Sequence, residues 1–460
     1  MSEHEITLDD FSTHEGGSEE GGVASPTELD GIPVDWSSVR LSEVALDTDG
    51  AFVDGPFGSN LKANEMTEEG YARIVQLQNI RVSEFINSNH KYISEDKFEE
   101  LKRHGAKPGD LAIAKMAEPV ARGCLLPEIE NQYLVVADCI KLSVDESEYN
   151  SRYVMFTLNS RPVWKQAFAR SRGSTRKRIN LTQLKQVQIP SPPLPEQRQI
   201  ATVLYTIDRA IEKSKEIIQN LDKLQKGTLR QLFENGTDRD TSTKETPMGK
   251  FPKHWELKQL QETCTLINGS AFPKDQQGKI KGKFPFIKVS DTNDYRRYVT
   301  GAKNYISQEQ ADEIGCNIHP KGTVILPKRG AAIMTNKRRI LGQESAIDNN
   351  QIGIVGEEVQ PLFLYYYLSD VDMGRFVQEG AVKSLTKSLL SKIRVPVPPS
   401  DTQTQIIEVL ESIDSRIEIE QEIKTEYQRL KKGLQQDLLS GTVRTTDTKI
   451  EVPDEITQHG

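Results

Sequence analysis

The sequence predicts an α+β protein: two repeated globular domains joined by two long helices with the spacing of a coiled coil. Three observations carry this. A proline-rich string occurs twice, 206 positions apart, as Ile189–Ile200 (IPSPPLPEQRQI) and Val395–Ile406 (VPVPPSDTQTQI). The match continues downstream, Val203-Leu204 with Val409-Leu410, Ile207-Asp208 with Ile413-Asp414, and Lys226-Gly227 with Lys432-Gly433. Each string follows a stretch of short alternating apolar runs broken by Gly and Pro, and precedes a long stretch of helical periodicity. A long shared period with few identities is one supersecondary unit present twice.

The first segment, 1–31, is expected to be a disordered acidic tail. Residues 1–30 hold nine carboxylates and no Lys or Arg, so they account for more than the whole net charge of −8 and leave the rest near +1. Such composition buries too little apolar surface to fold. The overall charge therefore says little about partners. The first domain is expected over 32–190 and the second over 251–396, opening at Pro33-Val34-Asp35-Trp36 and Pro252-Lys253-His254-Trp255. In each, a Gly loop follows (Asp54-Gly55-Pro56-Phe57-Gly58; Asn268-Gly269-Ser270-Ala271-Phe272), then strand-like runs at Ala72–Gln76 and Phe284–Val289. Pro108–Ile113 and Lys321–Leu326 read as turn plus strand. The units repeat in order while their offset drifts between about 206 and 219 through loop insertions.

Helices are expected at 191–236 and 397–441. Prolines hold the approach extended, and Pro195 suits a first helical turn, where its missing N–H costs little. The first seam is Ile200, Val203, Ile207, Ala210, Ile217, Leu221 and Leu224, flanked by Leu204, Ile211 and Ile218. The second is Ile406, Val409, Ile413, Ile423, Tyr427, Leu430 and Leu434, flanked by Leu410 and Ile417. This is coiled-coil spacing, interrupted by Ser214, Arg416 and Glu420. Each buried seam residue contributes roughly 1.5–3 kcal/mol. Gly236 and Gly441 supply left-handed ends. The Thr/Asp/Ser/Lys-rich span 237–250 reads as a flexible linker and 442–460 as a frayed tail.

At 460 residues the chain has room for two or three domains. No apolar run reaches the roughly 18–20 residues needed to cross a bilayer, and the first residues lack signal-peptide order, so a soluble cytoplasmic protein is expected. Cys124, Cys139, Cys264 and Cys316 form no CxxC pair and are expected as small buried hydrophobes. Phosphate-loop, dinucleotide, nucleophile-elbow and HExxH patterns are missing, as is the Pro-Pro-Tyr/Phe loop of adenine methyltransferases. The expectation is a non-catalytic protein with no metal ligands.

What remains is basic residues on loops. The candidates for DNA contact are Lys62, Lys115, Arg122, Arg170, Arg172, Arg176, Lys177 and Arg178 in the first domain. In the second they are Lys274, Lys328, Arg329, Lys337, Arg338, Arg339, Lys383 and Lys387; Lys279, Lys281 and Lys283 alternate on a further loop. Arg and Lys among Ser, Thr, Asn and Gly suit phosphate, and Arg also reads a guanine edge. Solvated surface is the competing explanation for any one cluster.

The Trp-initiated unit, the Gly-Pro-Phe-Gly loop, the Lys107-Pro108-Gly109-Asp110-Leu111 turn and the Pro192–Ile200 string before a long helix resemble the DNA-specificity subunit of type I restriction–modification enzymes, over about Ile32 to Arg444. In the second copy Ser400–Thr404 replaces the first copy's Leu194–Arg198. The resemblance implies two target-recognition domains, each reading half of a split, asymmetric DNA sequence, with the helices as antiparallel spacer. It also implies two docked methyltransferase (modification) subunits on coil residues such as Ile200, Val203, Ile207, Leu221, Leu224, Ile406, Val409, Ile413, Ile423 and Leu430, with restriction (motor/nuclease) subunits joining them. S-adenosylmethionine, ATP and Mg would belong to those partners and none to this chain. The rival reading is a non-enzymatic coiled-coil scaffold whose modules bind proteins; a third, an autonomous methyltransferase or nuclease, would need a donor or metal site.

Overall fold

The computed structural model describes residues 31–58, 60–116, 118–173, 176–237, 242–278, 280–377 and 383–457. The acidic tail expected over 1–31 therefore lies, Gly31 apart, outside the described residues. The chain forms two compact units. The first takes its described residues from the chain up to Lys213 and from Ile423 onward; the second is Ser214–Glu422. Each unit is one expected domain together with the start of the helix that follows it and the end of the other helix.

Within each unit the sheets repeat strand for strand. The first has a four-stranded sheet in the order Phe52–Asp54, Cys139–Leu142, Leu111–Ala114, Gly123–Leu125. The second has the same order in Cys264–Asn268, Gln351–Gly356, Val324–Pro327, Arg339–Leu341, extended by Tyr298–Val299. A second sheet runs Tyr92–Ile93, Ala72–Val75, Tyr133–Val135, Gly105–Ala106, matched by Tyr305–Ile306, Phe284–Ile287, Ser345–Ile347, Ile318–His319. Its central pair is parallel in both, Arg73 opposite Tyr133 and Phe286 opposite Ala346. Finally Ser37–Arg40 pairs with Gln188–Ser191, and Glu256–Gln259 with Arg394–Val397, so each domain's opening strand is closed by the strand that feeds its long helix.

The two helices are Leu194–Asn235 and Ser400–Ser440. In the first unit Ile200, Ala201 and Leu204 share a core with Leu438 and Leu439, while Asp208 pairs with Lys431. In the second, Leu229 and Phe233 share a core with Ile406, Ile407 and Leu410, while Gln225 donates to Asp414 Oδ1 at 2.7 Å. Rising numbers on one helix meet falling numbers on the other, so in each unit the two segments run antiparallel.

The seam differs from the expected one. Ile200, Ile207 and Ile406 are buried, Val203, Leu221, Ile413 and Ile423 half-buried, but Leu224, Val409 and Leu430 are 54%, 42% and 50% exposed. Of the residues read as flanks, Leu204, Ile211, Leu410 and Ile417 are buried instead, and Ile218 is half-buried. Each helix packs against its domain as well as the other helix, so a broad 3.6-residue face is covered rather than a strict 3.5-residue seam. Gly227 and Gly433 lie inside these helices at a cost of about 1 kcal/mol each relative to Ala.

Each helix start is locked by one glutamine. Gln197 accepts from Asn150 N at 2.9 Å and donates to Pro192 O at 2.9 Å and Glu148 O at 3.4 Å. Gln403 accepts from Gln360 N at 2.8 Å and donates to Pro398 O at 3.0 Å and Glu358 O at 3.2 Å. Asn150 and Gln360 cap the helices Ser151–Leu158 and Pro361–Asp370, so a domain helix and a long helix are tied through main chain alone. Although the second string lacks the Pro-Glu-Gln-Arg wording, it keeps this glutamine.

Two further expectations are corrected. The span 237–250 contains, outside residues 238–241, the start of a hairpin, Thr243–Thr246 with Gly249–Pro252, pinned by Lys244 Nζ to Lys253 O and Trp255 O. The stretch after 441 is not frayed. Arg444 donates to Glu196 and, through both terminal nitrogens, to Asp35; Ile456 is fully buried and its carbonyl accepts from Asn150 Nδ2. Both helices end as expected at a left-handed glycine, Gly236 (φ 72°) against Pro252 and Trp255, Gly441 (φ 73°) against Pro33 and Trp36. Cys124, Cys139 and Cys264 are buried and Cys316 half-buried, all unpaired.

Replacing Gln197 or Gln403 by Ala removes the partner of three main-chain groups and should cost about 1–3 kcal/mol. Denaturant unfolding measures this, and unchanged midpoints for both variants would refute the lock. A second expectation concerns acid. Arg444 holds the Asp35 carboxyl below its usual range; at Glu196 burial pushes the other way, but hydrogen bonds from Arg444 and Trp36 win and the net shift is down. Depressed carboxylates stabilise above their ordinary pKa, and that contribution is lost as pH falls through the lowered value. Pepsin should therefore cut within 442–457 before other segments once pH falls below about 4; simultaneous cutting throughout would contradict this.

Candidate nucleic-acid interface

In the first unit three of the expected segments meet at one edge of a sheet. The strand Phe52–Asp54 runs into Gly55, which lies so close to the Val135–Val136 main chain that a Cβ would overlap the Val136 carbonyl. Lys115, just past Leu111–Ala114, reaches Asp54 Oδ2 at 3.0 Å and Ala137 O at 3.1 Å. Its own N–H donates to Asp138 O and its carbonyl accepts from Ile179 N, both at 2.9 Å. Arg178 pairs with Asp138 at 2.9 Å, and Arg172 and Arg178 exchange two main-chain bonds that close a small loop.

The second unit builds the same joint from different letters. A Cβ on Gly269 would overlap the Asp348 carbonyl. Lys328 Nζ reaches Asn268 Oδ1 at 2.8 Å, its N–H donates to Asn350 O at 2.8 Å, and its carbonyl accepts from Leu385 N at 2.9 Å. Arg329 bridges Ser384, and Gly330 N donates to Lys383 O. Segments 268–270, 328–330, 348–350 and 383–385 thus meet as 54–55, 115–116, 136–138 and 172–179 do.

This joint sorts the cations. Lys62, Arg172, Arg176, Lys274, Arg329, Lys383 and Lys387 are exposed, and so is the ring of Phe57, 80% exposed on the Gly55 loop. Arg178 is exposed while paired with Asp138, and Lys177 is half-buried over the Phe168 ring. Arg170 donates to Gln166 O, and Lys337 is held by Asn293. Four candidates are spent inside the fold. Lys115 is buried against Asp54; Arg122 is buried and donates to Ile80 O and Leu77 O. Arg338 is buried, donating to Asn336 and Val371 O, and Arg339, half-buried, donates to Thr292 O and Tyr295 O. Burial lowers the pKa of Lys328, Arg338 and Arg339. These groups hold loops in shape, whereas the exposed set lies at the surface. Of the alternating lysines, Lys279 lies outside the described residues.

No sequence motif announced a buried network beside the second unit's helices. Arg297 donates to Tyr366 Oη at 3.1 Å and pairs with Asp414 at 3.4 Å; Tyr366 donates to Asp414 Oδ2 at 2.6 Å. Arg296 adds Asp222 at 3.0 Å. In the first unit the repeat mate of Asp414, Asp208, pairs with Lys431. Only the recurrence of Asp at 208 and 414 marked the place.

The model of the type I restriction modification DNA specificity domain family matches residues 33–223 and again 252–429. The chain belongs to this family. It is a specificity subunit, the non-catalytic component of its type of system. A similar protein is the type I restriction enzyme MjaVIII specificity subunit of Methanocaldococcus jannaschii, 23% identical over 443 residues that cover 90% of this chain and 94% of the relative. The type I restriction–modification S subunit from M. genitalium shares the fold, with TM-score 0.54, 15% identity, and 90% of this chain and 98% of that chain covered. So does a chain from work on complex assembly and conformational transition of the type I R-M system, with TM-score 0.52, 17% identity, and coverage of 90% and 99%. Among the described residues no helix of this specificity subunit is long and apolar enough to cross a membrane.

Lys115→Met should lower stability by about 1–3 kcal/mol in denaturant unfolding, because Asp54 loses its buried partner, whereas Arg176→Gln should stay within about 0.5 kcal/mol. Equal effects of the two would contradict the division into structural and free cations.

Proposed function

We propose that the specificity subunit reads a bipartite, asymmetric sequence in double-stranded DNA, one half-site per unit, and directs adenine methylation or restriction by partner subunits. The observation that carries this is the joint built twice, around Lys115 and around Lys328, each with a rim of exposed cations. The rims have the same frame but different side chains, which supports two different half-sites rather than a palindrome. Exposed Arg and Lys supply the phosphate term, and the same residue types on glycine-shaped loops suit base edges in the major groove. The helices, each about 60 Å long at 1.5 Å per residue, would set the unread spacer between half-sites.

In this reading two methyltransferase subunits dock on the helices and restriction subunits join them in the cytoplasm. S-adenosylmethionine, ATP and Mg belong to those partners. The scaffold alternative has no comparable support: protein-binding modules need no repeated cationic rim.

Methylation mapping of host DNA with and without the subunit tests the proposal. Two unlike half-sites at fixed separation are expected, and Arg172→Gln with Arg176→Gln should relax only one of them. The pair should also reduce the salt slope of DNA binding by about 0.9 for each phosphate that is no longer neutralised. A seven-residue insertion near Gln219 should change the spacer and leave the half-sites intact. A methylation pattern independent of the subunit would overturn the reading.

A further inference from the structure

The Gly55 loop carries one large side chain that the fold leaves out. Phe57 is 80% exposed, against 43% for Tyr71, the next most exposed aromatic ring among the described residues. Its main chain is nevertheless held from both sides. Gly55 N donates to Cys139 O at 3.0 Å, Pro56 is buried, and Asn60 N donates to Phe57 O at 2.8 Å. Leu61 then enters a core with Ile74 and Leu134. The backbone under the ring is therefore fixed while the ring itself stands in solvent. Cations border it. Lys62 is exposed on the same loop, and the loop leaves the joint at Gly55 that also carries Arg178 and, beyond it, exposed Arg172 and Arg176. The second unit differs here. After Gly269 come Ser270 and Ala271, and Phe272 stacks on Phe286 with ring centroids 4.0 Å and planes 17° apart.

We infer that Phe57 is a wedge whose ring enters the base stack of the first half-site, in the gap that opens when the target adenine is turned out for methylation. An enzyme that acts on a base in duplex DNA must take that base out of the stack. The gap left behind is flat-walled, apolar and one base thick, about 3.4 Å, and an aromatic ring has that shape. Phe is among the side chains that part base steps, and stacking on a base face tolerates any sequence, so the ring adds no letter to the site. The bordering cations suit the phosphates on either side. Because Phe272 is stacked within the fold, the assistance is confined to the first half-site. The inference rests on the reading that this rim holds DNA for adenine methylation by a partner, and it gives this chain a part in the exit of the base.

The test uses the full chain in complex with methyltransferase subunit. The duplexes carry 2-aminopurine, which is fluorescent when unstacked, in place of the methylated adenine of one half-site or the other. Phe57→Ala should reduce the fluorescence rise and slow methylation about tenfold, the loss of one aromatic–base stack. This should happen only at the half-site that Arg172→Gln with Arg176→Gln relaxes. Phe57→Tyr should keep parental values at both, and Phe57→Ala should melt with the parent, because the ring covers little of the fold. Parental fluorescence and rates with Phe57→Ala would overturn the inference, as would equal losses at both half-sites. Lost binding of methyltransferase subunit by Phe57→Ala would also overturn it, making the ring a protein contact. A parental complex that brightens at neither adenine would overturn the inference alone; one with no preference for the mapped duplex over unrelated DNA would sink the underlying reading as well.

Discussion

Two helices of 42 and 41 residues must each hide an apolar face along their length, and neither domain alone spans one. An isolated helix with such a face would not hold in water. The chain resolves this by dividing each helix between two cores. Ile200, Ala201 and Leu204 enter the first core with Leu438 and Leu439, and Leu229 and Phe233 enter the second with Ile406, Ile407 and Leu410. The domain boundary thus falls inside both helices, and the antiparallel sense follows because each core receives one helix start and one helix end.

The duplication, the helices and the left-handed ends were legible because they depend on local chemistry: proline, glycine and apolar spacing. What escaped the sequence depended on distant partners. Arg444 and Ile456 read as a frayed tail because their anchors, Glu196 and Asn150, lie 248 and 306 positions away. The exact seam escaped because the domains, as well as the opposite helix, cover the long helices. Cation clusters were visible as composition, but their division was not. Arg122 is spent on carbonyls at Ile80 and Leu77, 42 and 45 positions back, and nothing near Arg122 announces that.

The two units are copies in frame but not in every support. Trp36 donates its indole N–H to Glu196 at 3.0 Å, and Arg444 stacks over its ring. At the equivalent place Thr402 stands for Glu196, and among the described residues the buried Trp255 indole N–H has no hydrogen-bond partner. Conversely, only the second unit has the Arg297–Tyr366–Asp414 network among the described residues. A buried donor without a partner costs about 1–3 kcal/mol, so the second unit gives up one polar support and holds another deeper along its helix.

The glutamine locks have a consequence for how such proteins can change. Among the described residues the Gln197 and Gln403 side chains bond only to peptide groups, at Asn150, Glu148 and Pro192 and at Gln360, Glu358 and Pro398. A joint that reads peptide groups is blind to the letters around it. Domains whose loops differ in sequence, as those of the two units do, can therefore share one and the same socket.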